Sequence, residues 1–193
     1  DTYAPTSVAV LQTKGYDYWA LGHVHQRQVV SQQPRVVYPG NLQGRHARET
    51  GAKGCELVTV QGADISSQFT ALEVVRWHQL ELDISALAVL DDLQPYLAAQ
   101  LQAAAQTAAS DVLHAVRVVL TGESPLHALE AAQPGTLEAA VQAAAQDVLN
   151  ADVWIERVRL ALRSPIDRAQ LAQGSDALAE LVRSVDALAQ DPV

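Results

Sequence analysis

A chain of 193 residues with 49% hydrophobic content suits one compact domain or two small ones with a real core. No apolar run is long enough to span a membrane, residues 1–3 do not open a secretory signal, and the lone Cys55 excludes an internal disulfide. These features point to a cytoplasmic protein. The net charge of -9 disfavours a surface that binds polyanions everywhere, but the charge is unevenly spread. Residues 1–54 carry six basic against three acidic groups, and the acidic excess lies in the remainder. The chain neither begins with Met nor contains one, as expected for a piece of a longer protein.

In chain order, residues 5–14 read as a short helix capped by Thr6 or Ser7 and closed by Gly15. Residues 18–21 form an apolar run that stops at Gly22, a short buried strand. Residues 26–30 and 35–38 read as strands around a turn at residues 31–34. Residues 39–53, with Gly40, Gly44 and Gly51, read as a loop suited to close approach to a ligand. Residues 55–60 are a further strand.

A second region opens near residue 75. Leu80, Leu82 and Ile84 share one strand face, opposite Gln79, Glu81 and Asp83. Leu90, Leu93, Leu97 and Leu101 stripe a helix near residues 91–108, in which Pro95 must sit in the first turn or break it. Residues 112–120 form a strand, and residues 125–149 give helices broken at Pro134-Gly135. Residues 153–162 form a strand with Trp154, Val158, Leu160 and Leu162 on one face. Leu101-Gln102-Ala103-Ala104-Ala105-Gln106 is echoed by Val141-Gln142-Ala143-Ala144-Ala145-Gln146, which suggests two helix-then-strand units with their helices on one sheet face. A last helix near residues 175–190 carries an apolar stripe of Leu178, Leu181, Val182, Val185 and Leu188, which predicts burial against its own domain or a partner.

The sharpest chemical feature is Leu21-Gly22-His23-Val24-His25. Histidines at i and i+2 of an extended segment project to one side, and neutral imidazole suits Zn, Mn or Fe. Gly22 would give the strand end freedom to aim them. Alone, two such histidines are equally at home as surface residues. His78 and His114 lie within strands and His127 near a helix start, and none has a metal-ligand neighbour at useful spacing. Cys55 reads as a small buried thiol.

The run from Tyr16 to His25 is followed by Val37-Tyr38-Pro39-Gly40-Asn41-Leu42-Gln43-Gly44-Arg45-His46, then Arg48-Glu49-Thr50-Gly51 and Lys53-Gly54-Cys55. Over about residues 16–60 this combination resembles the SbcD/YhaO branch of the calcineurin-type metallophosphoesterases, the DNA repair exonuclease family. The resemblance implies an α/β protein: the later strands of a two-sheet α/β sandwich in residues 1–74, a small α/β capping domain in 75–163, and a helical tail in 164–193. It implies that His23 and His25 are the last metal-ligand motif, each serving one of two divalent cations, manganese foremost. Asn41, Arg45 and His46 become candidate substrate contacts, with Arg45 able to clamp a phosphate through its planar fork. Their alternative role is loop structure and surface charge.

The same resemblance requires an aspartate-x-histidine pair and an asparagine-histidine pair, and neither occurs in this sequence. Two histidines cannot hold a dinuclear site. The expectation is therefore a chain that is inactive alone, with the remaining ligands in a missing N-terminal half of the same protein. DNA and an SbcC-like SMC-type ATPase are the implied partners. The competing reading is a non-catalytic module that positions DNA or docks the ATPase. A different histidine metallohydrolase would need further histidines and an aspartate at strand ends, which are lacking.

Overall fold

A computed structural model describes residues 5–109, 111–165 and 168–190. The fold is α/β, with three small sheets and six helices among the described residues. The first helix, α1 (Val8–Gln12), is shorter than residues 5–14; Ser7 caps it by accepting from the Val10 amide. The first sheet has the order β1 (Tyr18–Ala20), β3 (Arg35–Tyr38), β2 (Gln28–Gln32). β1 runs parallel to β3, and β2 runs antiparallel to it. Val36 and Val37 of the central strand are fully buried.

β4 (Gly54–Gln61) and β5 (Asp64–Ala71) form an antiparallel hairpin. The sequence reading ended this region with the strand at residues 55–60 and missed β5. Its half-buried side is Ile65, Ser67 and Phe69, so a serine interrupts the apolar alternation that identifies a strand. Cys55 is half-buried, not sealed in a core.

The third sheet is wholly parallel, in the order β6 (Val75–Asp83), β7 (Leu113–Glu123), β8 (Val153–Arg163). Parallel neighbours need crossovers. α2 (Leu90–Ala105) makes the first; α3 (Leu126–Ala132) and α4 (Thr136–Gln146) make the second. Successive crossovers of one hand place their helices on one face, and α2 packs on α4. Leu93, Leu97 and Leu101 of α2 meet Leu137, Val141 and Ala144 of α4 over Val116, Val118 and Leu120 of β7. The two Ala-rich stretches lie in these helices, where small side chains permit close approach. Gly135, at φ 92, provides the left-handed entry into α4.

Two expectations change here. Pro95 lies in the second turn of α2, not the first. Its ring is exposed and the Asp91 residue one turn back is exposed too, so water can satisfy the carbonyl that the ring cannot serve. Trp154 does not share a face with Val158. The register with β7 shifts between Val116 and Arg117, making Glu156 a bulge residue that reverses the alternation. Ile155 therefore faces the helices, while Trp154 turns to the opposite face and packs edge-on against Trp77 at 6.3 Å. Finally, α5 (Arg168–Ala172) and α6 (Ala177–Gln190) form a helical tail in which Leu178, Leu181, Val185 and Leu188 are exposed. Val182 alone of that stripe is half-buried, and Ala179, to one side of it, is fully buried.

Candidate metal centre

β1 ends at Ala20, and the Leu21 amide donates to the Val37 carbonyl. The chain then leaves the sheet. His23 adopts φ 76, and the Val24 amide donates to the Gly22 carbonyl. The segment is thus a tight turn, not an extended strand, and the left-handed residue is His23, not Gly22. A non-glycine residue in that region is strained by about 1 kcal/mol or more and persists where surrounding contacts fix it. Both imidazoles are exposed at this turn.

The loop after β3 comes back against the turn. Gly40 has φ 83, and a Cβ there would meet the His25 carbonyl at 2.9 Å and the Arg27 nitrogen at 3.0 Å. Its absence allows the Asn41 amide to donate to the His25 carbonyl. Gly44 is held as tightly: a Cβ there would meet the Glu49 carbonyl at 2.8 Å and Trp77 Cδ1 at 2.9 Å. The Trp77 indole donates to the Gly44 carbonyl. The Gln43 side chain accepts from the Val74 and Val75 amides and donates to the Val75 carbonyl, which ties the loop to the start of β6. Beneath it, Glu73 accepts from the buried Lys53 amide and pairs with Arg76. Lys53 Nζ reaches the His25 carbonyl at 3.4 Å.

Glu49 is the residue around which the loop is organised, and the sequence reading did not single it out. One oxygen, Oε1, lies 2.7 Å from His25 Nδ1, 3.6 Å from Arg45 Nη2 and 3.9 Å from His46 Nε2. The other, Oε2, accepts from the Arg45 amide at 2.8 Å and from Asn41 Nδ2 at 3.0 Å. Glu49 is buried, whereas His25, Arg45 and His46 are half or more exposed. The Arg45 amide and His25, opposing the effect of burial, hold the Glu49 carboxyl down at about 2. Four of the five residues proposed from sequence therefore converge on one carboxylate. His23 lies on the same turn as His25. Asn41 is directed into the loop by Glu49, while the guanidinium of Arg45 and the imidazole of His46 remain accessible. The available clue to Glu49 was an isolated acidic residue inside a basic loop.

The donor chemistry suits a divalent cation. His25 engages Glu49 through Nδ1, so Nε2 is the ring atom that could ligate a cation, and both rings are reachable from solvent. The set is partial: among the described residues no cluster of three or more His, Cys, Asp or Glu can hold a metal ion.

The other histidine pair is built differently. His78 Nε2 lies 2.9 Å from His114 Nδ1 and the rings stack at 5.1 Å; His114 is fully buried. His114 Nε2 has no hydrogen-bond partner, which favours its unprotonated form, so Nδ1–H of His114 donates to His78. Desolvation, with the His114 and Arg76 charges, lowers the His78 pKa to about 4; burial also lowers that of His114. A histidine depressed in the folded state binds protons first when unfolded. Stability contributed by His78 is full above about pH 6.5 and declines as pH falls toward about 4. Discounted for partial exposure, the decline is about 1–2 kcal/mol. Urea midpoints at pH 7 and pH 4.5 should separate more for the native chain than for His78→Gln.

Comparison with known proteins shows what the chain is similar to. Residues 77–163 match the family described as the middle domain of metallophosphoesterase YhaO. That match covers the β6–β8 layer and lies outside the turn bearing His23 and His25. The chain is also 41% identical over 138 residues to the uncharacterized metallophosphoesterase YhaO of Bacillus subtilis (strain 168). The aligned stretch is 71% of this chain and 33% of that protein, so the chain spans about a third of its relative's length. Both findings are similarities to metallophosphoesterases. No helix among the described residues is long and apolar enough to cross a membrane.

Proposed function

We propose that these residues belong to a dinuclear-metal phosphodiesterase that acts as a DNA exonuclease in repair. Residues 1–74 complete its catalytic domain, residues 75–163 form an α/β cap, and residues 164–193 form a helical tail. The supporting observation is the exposed imidazole pair at the end of β1, with His25 backed by Glu49 and Arg45 beside it. Two divalent cations, manganese foremost, supply when bound the Lewis acidity and activated water that phosphodiester hydrolysis requires. His23 and His25 contribute a ring nitrogen each, and the remaining ligands come from outside these residues. Arg45 places a planar cation beside the site, suited to a phosphate oxygen pair. His46 offers a second accessible polar group on the same loop. The strap through Gln43, Trp77 and Gly44 keeps this loop in position relative to the β6–β8 layer.

The test is hydrolysis by the full-length protein with Mn²⁺ of linear duplex DNA, covalently closed circular DNA and a small aryl phosphodiester. End-dependent degradation of the linear duplex is expected. Hydrolysis of the small diester alone would retain the phosphoesterase and remove the nuclease. The 193 residues alone are expected to be inactive on all three substrates, and manganese-dependent cleavage by them would refute the need for further ligands.

A second reading is favoured by α6. Its exposed Leu178, Leu181, Val185 and Leu188 suit docking to a coiled-coil ATPase of the SMC type. On that reading the chain is an interaction module. Leu181→Asp with Val185→Asp should abolish co-purification with such an ATPase while leaving the hydrolysis of a small diester unchanged.

A further inference from the structure

We propose that Glu49 is the positioning residue of the site, fixing His25 in the tautomer that presents Nε2 to a cation and locking the arginine-bearing loop to that ligand. The proposal rests on reading His25 as a metal ligand. An ionised carboxylate only accepts hydrogen bonds. Glu49 is surrounded by donors: the Arg45 amide, Asn41 Nδ2 and, at 3.6 Å, the Arg45 guanidinium. It is therefore the acceptor in the 2.7 Å contact with His25, and the proton sits on Nδ1. Arg45 Nη2 also lies 3.1 Å from Nδ1, but a nitrogen already bearing hydrogen cannot accept from it. The guanidinium is held by its ion pair with Glu49 instead. With Nδ1 protonated, the Nε2 lone pair is the ring's ligand atom, and the carboxylate behind it increases its basicity.

The same carboxylate joins two parts of the site. Oε1 holds the ring of His25, while Oε2 holds the Asn41 side chain and the Arg45 backbone. The Asn41 amide in turn donates to the His25 carbonyl, so backbone and side chain of His25 are both tied to the loop. Loss of Glu49 would release the metal ligand and the cationic side chain together. A neutral glutamine keeps the size but has only one acceptor oxygen, so it cannot serve His25 and the Arg45 amide at once.

The experiment is ¹⁵N NMR of histidine-labelled full-length protein without metal, with the His25 signals assigned by comparison with His25→Gln. The native protein should show Nδ1–H and unprotonated Nε2, and Glu49→Gln should shift His25 toward the Nε2–H form. Manganese affinity, measured by titration with Mn²⁺ alone, should fall about 10- to 100-fold in Glu49→Gln, with kcat/KM falling in parallel. A native His25 protonated on Nε2 would overturn the proposal without needing any variant. So would a Glu49→Gln protein that binds manganese as the native one does. If the tautomer shifts as expected but the native protein binds no manganese, the metal-ligand reading fails and the positioning of His25 by Glu49 stands.

Discussion

His25→Ala in the full-length protein should lower phosphodiester hydrolysis by more than about 100-fold and reduce bound manganese. Partners that only orient a metal-bound histidine are typically worth 10- to 100-fold, and loss of the ligand atom itself should exceed that range. His23→Ala should lower activity and bound manganese similarly. Removing the His25 ring leaves the buried Glu49 carboxylate short of one donor, so a stability loss of about 1–3 kcal/mol should accompany the activity loss. Thermal melts and metal content measured on the same samples separate the two effects. Should both variants retain manganese and activity, the histidines are surface residues and the interaction-module reading, centred on α6, takes their place.

The parts of this fold legible in the sequence are those where one periodicity operates over a long stretch. The leucine stripe of α2, the break at Pro134-Gly135, the period-two alternation of β6 and the apolar run of β7 are of that kind. What escaped depends on single residues acting across distance. Glu156 adds one residue to β8, and Trp154 changes face; nothing local to residues 153–163 announces it. β5 follows a clear turn, but its inward side includes Ser67. At the site, the Gly-His-Val-His motif was legible and its backbone was not. An i, i+2 argument assumes extended chain, and φ 76 at His23 breaks that assumption while leaving both rings exposed. Glu49 is 24 residues from His25, and its role comes from Gly40 and Gly44 letting the loop fold back. A glutamate in a basic loop reads equally well as surface charge until that closure is seen.

Leu97→Ala should be among the most damaging single changes to stability, at about 2–5 kcal/mol. Leu97 is fully exclusive of solvent and belongs to the cluster where α2, α4 and β7 meet. Truncation removes apolar contact and leaves a cavity bounded by helices that two crossovers fix to one sheet, so collapse around it is restricted. For a chain of this size each kcal/mol lowers the melting temperature by about 2–4 °C, which places the expected drop at roughly 5–20 °C. Leu188→Ala is the matched comparison, because the same chemistry is removed from a residue 76% exposed on α6. Its effect should stay within about 0.5 kcal/mol. Urea midpoints for the two variants would decide the matter. A large loss at Leu188 would mean that the α6 face is covered in solution, and a negligible loss at Leu97 would mean that the β6–β8 layer is not held together by this core.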